Sequence, residues 1–159
     1  MATNFPMTQG IRFLKAKKAI YEPHIYEYQE KGGTKQSAEE LGVPEHAVIK
    51  TIVLEDENGK GCICLMHGDR EVSTKELARH RGVKTLRQAT QEQSLKWTGY
   101  IFGGTGPFGI KAALDIYIES TLLDLDKVYI NGGKRGFILE MSPAEIVRTI
   151  NPEPVTVGV

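Results

Sequence analysis

The sequence lacks an excess of either charge and lacks any long apolar run. Its 159 residues hold 20 Lys and Arg against 20 Asp and Glu, a formal net charge of zero. Such a chain has no overall field that draws it to nucleic acid or to an anionic membrane, so a polyanionic partner must be held by a local patch. No apolar run approaches the ~18 residues of a membrane span, and the start, MATNFPMTQG, lacks the regions of a signal peptide. We therefore expect a cytoplasmic protein with no membrane partner.

Cysteine is scarce, and its placement leaves two interpretations open. Cys62 and Cys64 stand two positions apart and form a C-x-C-x-x-H pattern with His67. Alternate residues of an extended segment face the same way, and a disulfide over so short a separation is strained. The pattern is therefore typical of buried strand cysteines, or of three metal ligands in a small redox protein. Because no fourth ligand stands nearby, we predict neither a metal site nor a cofactor.

Four or five short helices are predicted from capping residues and apolar spacing. A hydroxyl side chain that precedes a helical pattern accepts a hydrogen bond from the first turn and marks the start of the helix. The predicted caps are Thr8, Thr34, Ser73, Thr90 and Ser142. The helices that follow them are predicted in TQGIRFLKAKKAI, up to Leu41-Gly42, at 75–80, at 90–97 and in MSPAEIVRTI.

About seven short strands are predicted between these helices. The run AVIKTIVLEDENGKGCICLMHGD predicts a hairpin that turns at Asn58-Gly59. Further strands are predicted in HIYEYQE, at 83–86, in LDIYIES and in DKVYINGGKRGFILEMS. The last of these segments is predicted to hold two strands that meet across Gly132-Gly133. The tail, NPEPVTVGV, is predicted to be extended or frayed. Because strands do not alternate strictly with long helices, we expect one α+β domain over residues 1–159, with a mixed or mostly antiparallel sheet.

A lysine stands among apolar residues in one strand of the predicted hairpin. Val48, Lys50, Ile52 and Leu54 are expected to share one face of this strand. Lys50 is then either a charge that protects a sheet edge from aggregation or a cation that points into a cleft. In a cleft it holds a phosphate or a carbonyl oxygen, or moves a proton. This stretch alone leaves both interpretations open.

The segment at residues 98–111, TGYIFGGTGPFGIK, is rich in glycine. Its centre, residues 103–107, allows positive φ angles and a close approach of the backbone, and successive amides in such a turn can point into one concavity. That geometry suits an anion or a developing oxyanion. The alternative is a purely structural turn. The segment does not match the dinucleotide-binding fingerprint, because it leads into a predicted strand rather than a helix. It also lacks the G-K-[ST] ending of a P-loop.

Four motifs in order resemble the YbaK family, the free-standing relatives of the editing domain inserted in bacterial prolyl-tRNA synthetases. They are H-x-Y at His24 and Tyr26, V-I-K-T at 48–51, the glycine-rich segment at 98–111, and N-G-G-K-R-G at 131–136. The resemblance covers nearly the whole chain. It implies a deacylase of mischarged aminoacyl-tRNA, such as a Cys-tRNA(Pro) deacylase, with a mixed α+β fold around a curved sheet.

The resemblance also implies roles for individual residues. Lys50 matches the family's essential lysine, and the loop of Gly103, Gly104 and Thr105 is expected to stabilise the oxyanion formed during ester hydrolysis. The residues expected to bind substrate are His24, Tyr26, Gly106, Pro107, Gly109, Lys111, Asn131 and Arg135. Packing remains an alternative role for His24 and Tyr26, and a solvated turn cation is the alternative for Arg135. The attacking group is expected to be water, or the substrate's own thiol where the amino acid is cysteine.

The sequence departs from the pattern of this family at four positions. Gly106 and Asn131 each stand where relatives carry serine, Ala112 replaces a second lysine, and Ile138 replaces an acidic residue. An isoleucine in place of a carboxylate makes a site less able to bind a charged or polar group. Cysteine, alanine and other small amino acids therefore all remain open as the group removed.

The expected partners are the acceptor end of an aminoacyl-tRNA and a prolyl-tRNA synthetase. Two basic clusters offer local patches for phosphates, although each is also typical of a solvated face. They consist of Arg12, Lys15, Lys17 and Lys18, and of Arg79, His80, Arg81, Lys84 and Arg87. A module that binds a tRNA end, a nucleotide or a synthetase without turnover is the alternative function.

Overall fold

A computed structural model describes residues 4–159, and this part of the chain forms five α-helices and eight strands. The helices are α1 (Gln9–Ala16), α2 (Gly33–Leu41), α3 (Thr74–Arg81), α4 (Gln91–Thr98) and α5 (Pro143–Ile150). The strands are β1 (Glu22–Ile25), β2 (Ile49–Asp56), β3 (Gly61–His67), β4 (Leu86–Gln88), β5 (Asp115–Glu119), β6 (Val128–Lys134), β7 (Phe137–Met141) and β8 (Glu153–Val155).

Four of the five predicted helix caps are confirmed. The hydroxyls of Thr8, Ser73, Thr90 and Ser142 each accept a hydrogen bond from an amide in the first turn. The prediction for Thr34 is wrong, because α2 already begins at Gly33 and has Gly32 at its cap position. The Thr34 hydroxyl instead donates to a Glu45 carboxylate oxygen at 2.7 Å.

The strands form two sheets, where one curved sheet was expected. The larger has the order β4-β2-β3-β5-β8 and the smaller the order β1-β7-β6. Four of the six strand pairings among the described residues are antiparallel, and β3–β5 and β5–β8 are parallel. An isolated parallel bridge joins Val48 to Tyr129 and brings the start of β2 next to β6. The α+β class and the predicted hairpin are confirmed.

Two glycines that were predicted to form a turn lie inside a strand. Gly132 and Gly133 belong to β6, where the pairing with β7 shifts between Asn131 and Lys134. The chain reverses at residues 135–136, where Gly136 has φ +74°. A Cβ at Gly136 would lie 2.4 Å from the Tyr26 carbonyl oxygen, so this turn needs glycine both for its φ angle and for its contact with the neighbouring segment.

Two strand boundaries differ from the prediction, and of the two alternatives for the tail the extended one is confirmed. The strand predicted in HIYEYQE ends at Ile25, because the backbone of residues 27–29 is bound instead by the side chain of Gln36. The strand predicted at 83–86 begins at Leu86. The tail is not frayed: β8 pairs with β5, and the Glu71 and Val159 backbones exchange two hydrogen bonds of 2.9 Å.

The faces of β3 belong to two separate apolar clusters. Ile63 and Leu65 pack with side chains from both sheets, whereas Cys62, Cys64 and Met66 pack with α3 on the other face. Both clusters are closed to solvent along β3, so the strand holds the hairpin rigidly and fixes the position of its partner β2. No helix within residues 4–159 has the length and apolar character needed to cross a bilayer.

Candidate functional site

A cavity of about 500 Å³ lies beside the edge of β2 that β3 does not cover. β4 pairs only with residues 54–56 of β2, and the Val48–Tyr129 bridge lies just before the strand begins, so within residues 4–159 the stretch 49–53 between them has no strand partner opposite β3. The other walls come from residues 26–37, from the loop that follows α4, and from Asn131, Arg135 and Ile138 of the small sheet and its turn. A volume of this size is within the ~300–1,000 Å³ typical of small-ligand sites.

Lys50 and the glycine loop line this cavity together. The lining includes Lys50 from β2, and Gly103 and Thr105 from the loop. Lys50 therefore borders a cleft, and β2 is not an edge strand of its sheet, although Lys50 lies in the stretch that β4 does not cover. Its ammonium lies 3.1 Å from a carboxylate oxygen of Glu71, and the Lys50 side chain is only 18% exposed whereas that of Glu71 is 82% exposed.

The loop glycines are required by packing against the β6–β7 turn. A Cβ would lie 2.9 Å from the Tyr28 hydroxyl at Gly103, 2.8 Å from the Arg135 amide nitrogen at Gly104, and 2.3 Å from the Asn131 carbonyl oxygen at Gly106. Contacts under 3.0 Å require the neighbour to move, and at Gly104 and Gly106 that neighbour is backbone. The glycine pattern is thus explained by the close approach of two backbone segments that together border the cavity.

The loop amides differ in whether they are free to bind a ligand. The Gly104 amide donates to the Ile101 carbonyl at 2.9 Å, so it is already used inside the turn. The Thr105 hydroxyl donates to the same carbonyl at 3.0 Å. Within residues 4–159 the backbone amides of the lining residues Phe102, Gly103 and Thr105 have no protein acceptor, so these amides remain free to donate to a ligand oxygen.

Asn131 braces the loop against the small sheet. Its side-chain amide nitrogen donates to the Gly103 carbonyl at 3.2 Å. Its side-chain oxygen accepts from the amides of Gly133 at 2.6 Å and Lys134 at 3.1 Å, where the β6–β7 pairing shifts. A serine is too short to make all three bonds, so the asparagine at this position has a structural reason within this chain.

Arg135 and two tyrosines form the wall opposite the lysine strand. The Arg135 Nε donates to the Phe102 carbonyl at 2.9 Å, and its guanidinium lies 5.0 Å from the centre of the Tyr28 ring. The Tyr26 hydroxyl is hydrogen-bonded to the Ser37 hydroxyl at 2.7 Å. Burial raises the pKa of Tyr26 above its ordinary value, so this phenol is neutral at physiological pH.

The other predicted substrate residues do not line the cavity. His24 lies beside Ile138 in the small sheet, and its Nε2 is 3.2 Å from Glu140. Pro107 and Gly109 border a separate cavity of about 240 Å³, and Lys111 is exposed next to Gly99. Gly104 and Gly106 are buried just behind the lining. The two basic clusters also lie outside the lining.

Several lining residues were not identified from the sequence. Tyr28 and Phe102 give the cavity aromatic walls, and Thr51 and Ser94 carry buried hydroxyls for which residues 4–159 provide no hydrogen-bond partner. Thr51 is the last residue of the V-I-K-T motif, and Tyr28 continues the aromatic alternation that begins at Tyr26. Both could therefore have been named as candidate site residues from the local sequence. Phe102 lies inside the glycine-rich segment at a position that its motif leaves unspecified, and Ser94 lies in α4 outside every motif. Only the fold shows that these two residues border the cavity.

The C-x-C-x-x-H pattern does not bring three ligands together. Cys62 and Cys64 lie in the cluster with α3, where burial raises their pKa values to about 11 and about 12. His67 lies on the opposite face of β3 from the two cysteines, because neighbouring residues of a strand alternate between its faces. Its Nδ1 donates to the His46 carbonyl at 2.6 Å, and its Nε2 lies 2.6 Å from the Thr121 hydroxyl. Both ring nitrogens are thus engaged by protein groups.

Comparison with known proteins is consistent with the resemblance. Residues 30–149 match the family described as the aminoacyl-tRNA editing domain. The chain is 26% identical over 145 residues to an Enterococcus faecalis protein named "Putative Cys-tRNA(Pro)/Cys-tRNA(Cys) deacylase EbsC", a match that covers 91% of this chain and 88% of that one.

Two further matches are to part of a proline–tRNA ligase and to a solved structure. It is 29% identical over 129 residues to the proline–tRNA ligase of Trichlorobacter lovleyi, which covers 77% of this chain but only 22% of the ligase. The fold superposes with a TM-score of 0.83 on the crystal structure titled as a "putative trans-editing enzyme for prolyl tRNA synthetase", at 22% identity and over 99% of both chains. The latter match establishes the shared fold.

Proposed function

This chain belongs to the aminoacyl-tRNA editing domain family, and we propose from that premise that it hydrolyses the ester of a mischarged aminoacyl-tRNA. The observation that carries the proposal is the common cavity of Lys50, Gly103 and Thr105. A cation and two unpaired amides on one small cavity are the groups that ester hydrolysis on an anionic substrate requires.

The substrate joins an amino acid to the terminal ribose of tRNA, so its reactive end carries both an ester and a nearby phosphate. Lys50 holds that phosphate or the ester carbonyl from the β2 side of the cavity. Gly103 and Thr105 donate to the oxygen that becomes negative when the ester carbon turns tetrahedral. In other enzymes the loss of one such donor costs about 2.7–4 kcal/mol of transition-state stabilisation.

The attacking group comes from outside the protein. The serines and threonines of the described lining are Thr34, Ser37, Thr51, Ser94 and Thr105. This lining has no histidine and no cysteine that could serve as an adjacent base or as a thiol nucleophile. The Ser37 hydroxyl is engaged by Tyr26. A serine needs an adjacent base to become a nucleophile. Water therefore attacks the ester, or the substrate's own thiol does so where the amino acid is cysteine.

The cavity favours a small amino acid without a charged side chain. Val48, Ile49, Val53 and Ile138 form an apolar part of the lining, where we place the amino-acid side chain. The charged residues of the lining are Glu30, Lys31, Lys50 and Arg135. The acidic group nearest to Ile138 along β7 is Glu140, which is occupied by His24 and Lys127. Cysteine and alanine both fit this description, and Cys-tRNA(Pro) is the first candidate because of the name of the E. faecalis relative.

A panel of mischarged tRNAs tests the proposal. Cys-tRNA(Pro), Ala-tRNA(Pro) and Ser-tRNA(Pro), with correctly charged Pro-tRNA(Pro) as the reference, are each incubated with the protein in excess, with and without prolyl-tRNA synthetase. We expect faster hydrolysis of the cysteinyl or alanyl ester than of the prolyl ester. Binding of tRNA without hydrolysis of any member would instead support the alternative of a non-catalytic module.

A further inference from the structure

We infer that Glu71 is a positioning residue that acts through Lys50, as an internal competitor for the phosphate that the lysine is proposed to bind. The inference rests on the proposed function, because it concerns the ligand of the same lysine. Glu71 belongs to the loop between β3 and α3 and does not line the cavity. Its carboxylate occupies the Lys50 ammonium at 3.1 Å.

The backbone of Glu71 is fixed although its side chain is exposed. Its amide and carbonyl exchange hydrogen bonds of 2.9 Å with Val159, and the neighbouring Val72 forms a bridge with Gly158. Two residues earlier, the Asp69 carboxylate binds His46 Nδ1 at 2.9 Å. The loop therefore presents the Glu71 carboxylate to Lys50 from a defined position.

The ion pair between Lys50 and Glu71 is weak enough for an anionic ligand to replace the carboxylate. An ion pair whose carboxylate is 82% exposed contributes little to stability and is screened by salt. A nucleotide phosphate carries at least the same charge and offers more acceptor oxygens, so it can replace Glu71 at the ammonium. The displaced carboxylate stays close to the phosphate and repels it, because nothing else in the described residues binds it.

The consequence is a selective weakening of anion binding at Lys50. A free nucleotide has only its phosphate and base with which to displace Glu71, whereas the 3′ end of a charged tRNA also brings the ester and the rest of the acceptor strand. Glu71 thus disfavours free nucleotides relative to the 3′ end of a charged tRNA.

The test compares Glu71→Gln with Glu76→Gln, which removes the same charge from an exposed carboxylate whose one ion-pair partner within residues 4–159 is Arg79. Adenosine 5′-monophosphate serves as the probe of the phosphate site, titrated by NMR or calorimetry. We expect Glu71→Gln to lower the dissociation constant about three- to fivefold, and Glu76→Gln to leave it unchanged. In a Lys50→Met background, Glu71→Gln should have no effect.

Steady-state deacylation supplies a second readout, with KM expected to fall in Glu71→Gln while kcat stays constant. Equal effects of the two substitutions on nucleotide binding, a tightening that persists without Lys50, or no binding of the nucleotide to any form would overturn the inference. A fall in kcat would also overturn it, because it would mean that Glu71 holds Lys50 ready for catalysis. If the nucleotide results are as expected but no tRNA is deacylated, the proposed function alone fails.

Discussion

Lys50 and the glycine loop face the same cavity, but they are supported in different ways. On the strand side, one ammonium is held by a single exposed carboxylate, Glu71. On the loop side, Asn131 and Arg135 tie the loop to the β6–β7 turn through hydrogen bonds of 2.9–3.2 Å. The comparison indicates that the charge can move with a ligand, whereas the loop amides that we propose as oxyanion donors are held in place before a ligand binds. Fixed donors need no reorganisation during the reaction, which is where their catalytic value lies.

Removing the charge on the strand side is expected to have the largest effect. Lys50→Ala should lower kcat/KM for deacylation by about a hundredfold or more, since a charged contact to the substrate is lost. Circular dichroism should be unchanged, because the Lys50 ammonium has only an exposed partner. Lys60→Ala, at the exposed turn of the same hairpin, is the matched control and should retain full activity. Near-normal turnover of Lys50→Ala would remove the lysine from the mechanism.

Disturbing the loop side is expected to have the next largest effect. Gly106→Ala places a Cβ 2.3 Å from the Asn131 carbonyl oxygen, so the loop or the turn must shift. We expect a loss of about 1–3 kcal/mol in the free energy of unfolding, as for other overpacked sites, together with about a tenfold loss of kcat as the donors move. Thermal denaturation and single-turnover deacylation measure the two effects.

Gly82→Ala separates these two effects. Gly82 ends α3 at φ +78° with open space around its Cα, so alanine there costs roughly 1 kcal/mol of backbone strain. It should lower the melting temperature without changing kcat. If both glycine variants lose activity in proportion to their stability, the loop has no separate role in orienting the amides.

The sequence predicted those parts of the fold that depend on local patterns. Caps such as Ser73 and Ser142 act within one helical turn, and the hairpin around Asn58-Gly59 depends on adjacent strands, so both were readable from spacing. The prediction of a helix cap at Thr34 was wrong because its hydroxyl donates to the Glu45 carboxylate and the Gly68 carbonyl, which are distant in sequence. The division into two sheets is likewise set by long-range pairing.

The candidate site was predicted to a similar extent and for similar reasons. Motifs located Lys50, Gly103 and Thr105, but motif membership did not separate residues that line the cavity from those that pack behind it. Pro107 and Gly109 belong to the same glycine segment yet border a different cavity. The partners that explain the loop glycines, such as the Asn131 carbonyl, are visible only once the two segments are in contact.

The backbone pairing that holds Glu71 can be weakened by a substitution outside the cavity. Glu119 is 2% exposed, and its carboxylate accepts from the amides of Val157 at 2.7 Å and Gly158 at 3.1 Å, next to the Glu71–Val159 pairing. Glu119→Ala leaves these amides without an acceptor and should cost about 2–3 kcal/mol in the free energy of unfolding, measured by urea denaturation.

Glu153→Ala is the control for that substitution. Glu153 lies in β8 of the same tail, but its carboxylate is exposed and, among the described residues, its one ion-pair partner is His80, so its loss should cost under about 1 kcal/mol. The loop side of the cavity should respond to neither substitution, and kcat should stay constant in both. A fall in kcat with Glu119→Ala would mean that the two walls are coupled through the tail.

The smallest expected effect concerns the two cysteines, which lie neither on the strand side nor on the loop side of the cavity. Burial raises the pKa values of Cys62 and Cys64 to about 11 and about 12. Because a raised thiol pKa leaves the unreactive protonated form below that pKa, both thiols should resist iodoacetamide at pH 8 in the folded protein and react after denaturation. Mass spectrometry counts the labelled sites, and Cys62→Ala and Cys64→Ala should keep their nucleotide affinity. Rapid labelling of the folded protein would mean that the cluster beneath α3 opens, and with it the strand that positions β2 and Lys50.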